Sequence, residues 1–443
     1  MKRSALAVHG GAPTLDRGAH RVWPILGGDE KTAVLRVLDR GVLAGASAPE
    51  SVAFERAFAD FVDARHALLT HSGTSALHLA LAAAGVSAGD HVIVPAYSFV
   101  ATPLAVLHAG AIPIFADVDE ATGLMRAADV ARALTSRTRA IMPVHVHGCA
   151  AELGPLLQIA AERGLLVVED AAQAHGATWN GSPVGAIGTC GGFSLQSSKN
   201  LGVGEGGVLV TNDDALAEAA NRLRSFGQDV TLEERTSFDA TRPLDAQRSL
   251  SSGRVGWMYR GGELMAALAR AQLSKLAERT ERCQRNAERL SLSLRELPGV
   301  YPPEVPRGST SVHHKFRVRL DPAAAGLDVA PRVLRDVTMG ALRAEGLEVV
   351  TWQTAPLPAQ PIFQRREGLG NGWPWTTDVE TDFEQSYDVA RFPNTRRLLD
   401  GSLLLFSQSC PLIAQESDVV ARYAEAFARV WEQRFELVRR AHE

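Results

Sequence analysis

The sequence predicts an α/β fold in which a mostly parallel sheet is covered by helices on both faces. Between about residues 60 and 215, apolar runs rich in β-branched residues alternate with amphipathic stretches of helical length. Ligands of such sheets bind beyond the carboxyl ends of the strands, so candidate functional residues are sought there. The strand-like runs are 91–97, 111–119, 139–148, 165–172 and 206–213.

The remainder of the chain predicts a smaller α/β domain. Residues 262–297 show helical spacing without proline and predict one long helix or two abutting ones. A strand is expected over 313–321 and a helix over 328–346. We therefore divide the chain into a large domain with an N-terminal arm, 1–260, and a second part, 261–443, that holds the connecting helix and the smaller domain.

Two segments lack apolar periodicity. Residues 228–256 are predicted to be a long functional loop that reaches across a subunit interface or closes over substrate. Residues 353–397 are rich in Pro, Gly, Trp and Asn, carry no assignable motif, and precede a strong terminal helix beginning near residue 418.

Composition favours a soluble globular protein with a small-molecule partner. The chain has 443 residues, of which 46% are hydrophobic, and its net charge of −4 offers no general attraction to nucleic acid or to anionic membranes. No apolar segment is long enough to span a bilayer. The four cysteines follow no spacing typical of a disulfide framework or a zinc site, so we expect a cytoplasmic protein without a metal.

The stretch "HSGTSALHLAL" at 71–81 is a turn of small residues that leads into a helix, with Thr74 or Ser75 expected at the N-cap. Free backbone N–H groups and the positive end of the helix dipole make such a start suitable for phosphate. An ordinary capped helix would have the same sequence.

A pair of acidic residues ends the apolar run in "LLVVEDAAQAHG". Glu169 and Asp170 stand where a sheet can hold a charge against a ligand, although a carboxylate that caps a loop would look the same. Lys199 follows in "FSLQSSKNLGVGEGG", among short polar neighbours and glycines that allow close approach. An anion site, a buried acid and a confined lysine are the three parts that pyridoxal 5′-phosphate requires.

Several segments together resemble the DegT/DnrJ/EryC1/StrS family of fold-type-I sugar aminotransferases, over roughly residues 5 to 320. Members that act on keto-cyclitols and the 3-amino-5-hydroxybenzoate synthases are the most similar. The segments occur in the family's order and spacing: "GTSALHLAL", "GDHVIVPAYSFVATPLAVLHAGAIPIFADVD", "VEDAAQAHGA", "FSLQSSKNLGVGEGGVLVTND" and "YRGGELMAALARAQL".

The resemblance implies pyridoxal 5′-phosphate as cofactor and assigns roles to particular residues. Lys199 corresponds to the catalytic lysine that forms the Schiff base, and Asp170 to the partner of the pyridinium nitrogen. Phe99 corresponds to an aromatic ring stacked on the pyridine, with a core phenylalanine as the alternative. The other implied contacts are Gln173 near the phenolic oxygen, Gly73, Thr74 and Ser75 in the phosphate-binding turn, and Ser194 on the phosphate.

The sequence departs from the family at the segment "GWMYR", residues 256–260. Many members have an asparagine there that reaches the phosphate of the neighbouring subunit. Met258 cannot form that hydrogen bond, so either Arg260 replaces it or the contact between subunits differs.

Three further positions are candidates for substrate contact. His147 lies in "VHVHG", where the family often has "VHLYG", and His314 and Lys315 occupy positions where relatives often carry tyrosines. His314 and Lys315 would contact a polyol or a carboxylate, or else form a solvated strand end. His145 and His147 alternate on one predicted strand without a third ligand, so a metal is not expected.

The resemblance implies an aminotransferase that moves the amino group of glutamine or glutamate to a keto-cyclitol or keto-sugar by ping-pong kinetics through a Lys199 aldimine. Three alternatives remain. They are an aromatising dehydratase of the 3-amino-5-hydroxybenzoate synthase type, an aminotransferase for nucleotide-linked keto-sugars, and a cofactor-binding protein without turnover. A homodimer with shared active sites is also implied.

Overall fold

The computed structural model describes residues 5–45, 47–233 and 251–441, and a seven-stranded sheet forms its largest layer. Residues Thr178–Trp179 and Ser182–Pro183 form a two-stranded hairpin that is separate from this sheet. The strands up to residue 211 are β1 His66–Thr70, β2 His91–Pro95, β3 Ile112–Ala116, β4 Thr138–Ile141, β5 Leu166–Asp170, β6 Thr178–Trp179, β7 Ser182–Pro183, β8 Cys190–Ser194 and β9 Gly207–Thr211.

The large sheet has the order β1-β9-β8-β5-β4-β2-β3, and all of its strands except β9 run in the same direction. The prediction of a mostly parallel sheet is therefore confirmed. Because β9 is antiparallel to both neighbours, its first residue, Gly207, pairs with the last residues of β1 and β8, Thr70 and Ser194. Asp170 ends β5 at the same edge.

Helices cover both faces of this sheet. β2 and β3 are buried at every residue, as expected for parallel strands with helices on either side. Pro49 occupies the first turn of α2, where its missing N–H costs nothing, and Asp213 caps α7. The helices are α1 Gly28–Arg40, α2 Pro49–Phe61, α3 Gly73–Ala83, α4 Ala101–His108, α5 Ala127–Ala133, α6 Leu153–Arg163 and α7 Asp214–Leu223.

A second, four-stranded antiparallel sheet lies in the C-terminal part, with the order β10-β11-β13-β12. Its strands are β10 Val300–Tyr301, β11 Phe316–Leu320, β12 Val349–Val350 and β13 Ser402–Leu405. The helices of this part are α8 Glu263–Leu273, α9 Leu276–Arg295, α10 Pro331–Ala344, α11 Pro361–Arg365, α12 Phe383–Ser386, α13 Pro393–Gly401, α14 Ser417–Glu432 and α15 Arg434–Ala441.

The elements predicted in the C-terminal part are present. Residues 262–297 form two abutting helices, α8 and α9, and the predicted strand and helix correspond to β11 and α10. The terminal helix is interrupted at Gln433, which separates α14 from α15. Of the predicted loop 228–256, residues 234–250 lie outside the described residues.

The irregular segment 353–397 covers the outer edge of the large sheet at β3. Phe115 of β3 packs edge-on against Phe363 and Tyr387. The Tyr387 hydroxyl donates a hydrogen bond of 2.7 Å to the carbonyl of Pro113, and Asp117 accepts bonds from the start of α13. The segment therefore protects an edge that would otherwise expose unpaired backbone groups.

Residues 5–25 pack on the C-terminal part of the chain. The backbone N–H of Thr14 donates to Glu345, and the His20 ring shares a hydrogen bond of 2.8 Å with the Tyr423 hydroxyl. The domain boundary at residue 260 remains a prediction. None of the helices described is both long and apolar enough to cross a membrane.

Candidate active site

The start of α3 lies against the end of β8. Ser72, rather than Thr74 or Ser75, is the N-cap: its Oγ accepts the N–H of Ser75 at 3.1 Å, and Ser75 Oγ in turn accepts the N–H of Ser72. This capping box uses the Ser75 hydroxyl locally. Within the described residues, Thr74 forms no side-chain hydrogen bond and stays available to a ligand.

Two glycines allow the backbone segments at this edge to approach one another. A Cβ atom added to Gly73 would lie 2.7 Å from Cβ of Ser194, and one added to Gly207 would lie 2.6 Å from the nitrogen of Gly73. Only residues without a side chain fit at such distances. The helix start of α3 and the hydroxyl of Ser194 therefore share one small region, as an anion site requires.

Asp170 and Glu169 face different surroundings. Asp170 Oδ2 accepts a hydrogen bond of 2.7 Å from the Thr102 hydroxyl, and Oδ1 accepts the N–H of Ala172. Burial raises the pKa of Asp170, against the lowering effects of these donors and of Lys199. Glu169 instead binds His145 at 3.0 Å and two loop N–H groups, so it is the carboxylate that holds a loop.

Lys199 lies on a turn that is held by hydrogen bonds to both its backbone N–H and its carbonyl. Its N–H donates to the carbonyl of Gln196 at 2.8 Å, and its carbonyl accepts the indole N–H of Trp23 at 2.9 Å. Burial lowers the pKa of Lys199 to about 8, while Asp170 opposes this shift. A substantial fraction of the amine is consequently neutral, and therefore nucleophilic, near physiological pH.

A hydrogen bond connects two further residues of the site, Gln173 and His147. The Gln173 side-chain oxygen accepts the backbone N–H of His147 at 2.9 Å, and the His147 ring shares a hydrogen bond of 2.6 Å with Tyr97. His147 has a positive φ of 59°. Burial, followed by the charges of Arg317, Lys315 and Lys199, holds its pKa well below the usual value, so the ring is neutral.

Phe99 follows β2 and Arg260 bridges the last residue of β1, so both lie at the carboxyl ends of the parallel strands. Phe99 is 53% exposed, which excludes the alternative of a core phenylalanine and leaves its ring free to stack on a ligand. Arg260 forms an antiparallel bridge with Thr70, two residues before Ser72. Met258, at the position of the family's asparagine, is 45% exposed.

His314 and Lys315 are buried and do not form a solvated strand end. Nδ1 of His314 lies 3.4 Å from the side-chain oxygen of Asn200, the residue after Lys199. Burial, together with repulsion from Lys199, lowers the pKa of Lys315 to about 8. His145 and His147 point to different partners, and the described residues contain no group of side chains able to hold a metal ion.

Other residues of the site carried no local signal in the sequence. Trp23 comes from a distant segment that only the fold brings to Lys199. Tyr97 and Thr102 lie on either side of Phe99 in "YSFVAT", where nothing in the sequence marked them as partners of His147 and Asp170. Trp352 packs edge-on against the His147 ring, with centroids 4.8 Å apart. Arg317 could have been found, because basic residues alternate with apolar ones along "HHKFRVRL".

The fold is that of the fold-type-I, pyridoxal-phosphate-dependent transferases. The solved structure of 3-amino-5-hydroxybenzoic acid (AHBA) synthase matches 95% of this chain and all of its own, with a TM-score of 0.79 and 28% identity. The family model of the DegT/DnrJ/EryC1/StrS aminotransferases matches residues 24–383. The chain belongs to this family, and it is an aminotransferase.

Two curated relatives extend the comparison. Protein MosB of Rhizobium meliloti is 31% identical over 416 residues, covering 93% of this chain and 78% of its own. The L-glutamine:2-deoxy-scyllo-inosose aminotransferase of Streptomyces fradiae is 39% identical over 323 residues, covering 72% of this chain and 73% of its own.

Proposed function

We propose that this protein uses pyridoxal 5′-phosphate to transfer the amino group of glutamine or glutamate to the ketone of a cyclitol or sugar. The observation that carries the proposal is that Lys199 and the Asp170 carboxylate, which the Thr102 hydroxyl holds, both lie at the carboxyl ends of the parallel strands and influence each other's pKa, that of Lys199 being lowered by burial to about 8. A lysine on an ordinary solvated surface has no reason to be desolvated beside an acid.

The residues present fit this cofactor. Thr74, the N–H groups that begin α3 and the Ser194 hydroxyl would hold the phosphate, in a region where an added Cβ at Gly73 would collide. Asp170 would pair with the ring nitrogen, Gln173 would lie near the phenolic oxygen, and Phe99 would stack on the ring. Arg260, placed by its bridge to Thr70, is the candidate that replaces the missing asparagine.

The bound cofactor supplies an aldehyde that condenses with amines and a ring that withdraws electrons from the amino acid Cα. The protein's contribution is positioning and proton transfer. Once the donor amine has displaced it, the Nζ atom of Lys199 would accept the Cα proton and deliver it, as general acid, to the carbon derived from the cofactor aldehyde. Asp170, whose orientation is fixed by the hydrogen bond from Thr102, would supply the negative charge that stabilises a protonated ring nitrogen.

The proposed substrates are supported by the Streptomyces fradiae relative, whose name specifies glutamine as donor and a deoxy-inosose as acceptor. Buried polar side chains around Lys199 include His147, His314 and Gln173, which suit a polyhydroxylated acceptor. A free cyclitol is the first choice of acceptor, and a nucleotide-linked keto-sugar is the second.

The similarity to AHBA synthase favours a second candidate, a dehydratase that aromatises its substrate. Both reactions would use Lys199 and the same cofactor. They differ in outcome, because only the aminotransferase leaves the donor nitrogen on the product.

The test is a single turnover with glutamine labelled isotopically in its α-amino nitrogen, followed by a panel of ketone acceptors. Mass spectrometry should find the label in an amino-cyclitol or amino-sugar, and none in the product of the Lys199→Ala variant. Lys275→Ala, which alters a lysine paired with Glu30 away from the site, is the matched control. An aromatic product without label would favour the dehydratase, and label transfer by Lys199→Ala would refute the proposed role of Lys199.

A homodimer is part of the proposal. Leu35 and Leu38 of α1 and Leu264 of the adjacent α8 are between 39% and 56% exposed, and Phe99 at the active-site edge is exposed as well. A second copy of the chain, covering these residues, would remove their apolar surface from water. A cytoplasmic location also remains a prediction.

A further inference from the structure

Three basic side chains share one face of β11 and the residue before it. Lys315, Arg317 and Arg319 alternate with Phe316 and Val318, which are buried in the core. Arg319 has partners: it lies within 4.0 Å of the Glu120 carboxylate, and its guanidinium stacks 4.0 Å from the centre of the Tyr301 ring.

Arg317 and Lys315 are more deeply buried than Arg319, yet neither meets a carboxylate. Arg317 is 4% exposed and donates hydrogen bonds to the Ser402 hydroxyl and to the carbonyl of Ala121. Lys315 is 6% exposed, and in the described part of the chain it forms no ion pair with a carboxylate. Burying cations without counter-charges is costly, so their presence here needs an explanation.

The acidic side chains nearby do not provide that counter-charge. Asp119 accepts hydrogen bonds from Ala121 and Thr122 in its own turn. Glu304 is exposed and forms no ion pair with either cation, although it lines the same small cavity as they do. Both acids raise the pKa of Arg317, whereas burial, the largest influence, lowers it.

The two cations border a small cavity of about 20 Å³, which His147 also lines and which opens toward the exposed Glu304 and Val305. Nδ1 of His147 is buried and has no hydrogen-bond partner among the described residues. Lys199 lies close enough for its charge to lower the pKa of both His147 and Lys315. The cavity therefore offers two cations and one unpartnered polar atom to a small group, beside His147, whose backbone N–H is held by Gln173.

We propose that Lys315 and Arg317 form a subsite that binds a carboxylate of the substrate. This inference rests on the proposed function. An arginine and a lysine on one side of a small cavity match the shape and charge of a carboxylate. The amino donor always carries one, and an acidic acceptor would carry another, so the same subsite can serve either half of the reaction.

The test measures binding of glutarate, a five-carbon dicarboxylate that has no amine and cannot react. Isothermal titration of the cofactor-loaded protein should show affinity about tenfold to a hundredfold lower in Lys315→Met and Arg317→Met than in the wild type. Arg317→Lys should retain most of the affinity. Arg319→Met, on the same face of the strand but already paired, is the matched control and should bind like the wild type.

Thermal unfolding of each variant shows whether it is folded. If Arg317→Met does not fold, Lys315→Met alone keeps the proposal testable. Equal glutarate affinity in the wild type, in Lys315→Met and, if it is folded, in Arg317→Met would overturn the subsite. Inhibition by glutarate competitive with glutamine assigns the carboxylate to the donor, and inhibition competitive with the ketone assigns it to the acceptor. Absence of label transfer in the wild type would instead refute the proposed function, whatever the titrations show.

Discussion

Lys199 illustrates how the fold prepares one side chain for chemistry. The turn that carries it is held at Gln196 and Trp23, and the side chain enters a region where burial lowers its pKa to about 8. Asp170 restrains this shift because it favours the protonated amine. Both forms of the amine are therefore populated near a pH of about 8: the neutral form, which attacks a carbonyl, and the protonated form, which can donate a proton.

A pH profile of cofactor binding tests the lowered pKa of Lys199. The neutral amine reacts with the cofactor aldehyde, so the rate of pyridoxal phosphate capture by the apoprotein should rise with pH and level off above about 8. A lysine with the ordinary pKa of about 10.4 would give a rate that still increases tenfold per unit at pH 9. Stopped-flow absorbance measures the rate, and an increase continuing past pH 9 would contradict the lowered pKa.

Some residues of the site could be predicted from the sequence, and others could not. Lys199, Asp170 and Ser194 stand in short motifs whose spacing suggested cofactor chemistry, and the structure places them at one edge of the sheet. The N-cap was misassigned, because Ser72 competes with Thr74 and Ser75 for the same role and only backbone geometry decides. Trp23 and Trp352 lie far along the chain from Lys199 and gave no local pattern.

At the scale of elements, the site depends on how closely α3 approaches β8. Replacing Gly73 with alanine places a methyl group 2.7 Å from Cβ of Ser194 and should push the helix start away from the strand. We expect the affinity for pyridoxal phosphate to fall about tenfold to a hundredfold. Equilibrium dialysis measures the affinity.

The control for this substitution is Gly340→Ala. Gly340 lies inside α10, and an added Cβ meets no atom within 4 Å, so cofactor affinity should not change. The helix should become more stable by about 0.5–1 kcal/mol. Unchanged affinity in Gly73→Ala would show that the approach of α3 to β8 does not form the phosphate site.

The elements themselves were only partly predictable. β2, β3 and β5 lie within apolar runs and were recognisable. β4 ends at Ile141, so the strand predicted over 139–148 was too long, because residues 146–148 form a 3-10 turn. β8, "CGGFS", contains two glycines and has low strand propensity. Its identity as a strand follows from pairing with β5 and β9, which are distant in sequence. Nothing in the composition of β9 indicates that it runs antiparallel to its neighbours, because its direction also depends on tertiary pairing.

At the scale of the whole molecule, the segment 353–397 attaches the C-terminal part of the chain to the large sheet. Tyr387→Phe removes the hydroxyl that bridges the Trp375 indole N–H, 3.0 Å away, and the Pro113 carbonyl. Leaving these buried groups unpaired should lower the free energy of unfolding by about 1–3 kcal/mol. Urea denaturation measures the loss, while transaminase activity below the transition should remain unchanged; full stability would show that the contact contributes nothing.

The proposed homodimer is tested by sedimentation. The wild type should sediment as a dimer at micromolar concentration, and the double variant Leu35→Glu, Leu38→Glu should sediment as a monomer because buried carboxylates oppose association. Replacement of Val379, a 91% exposed residue on the distant 353–397 segment, with glutamate is the control. A fully active wild-type monomer would rule out shared active sites.

The most direct measurement of the central claim is reduction of the cofactor-loaded protein with borohydride, followed by digestion and mass spectrometry. Reduction makes the link between cofactor and protein permanent. We expect a pyridoxyl group on Lys199, within residues 193–207, and none in the Lys199→Arg variant. A modification on another lysine in the wild type, or one that persists in Lys199→Arg, would show that Lys199 does not bind the cofactor.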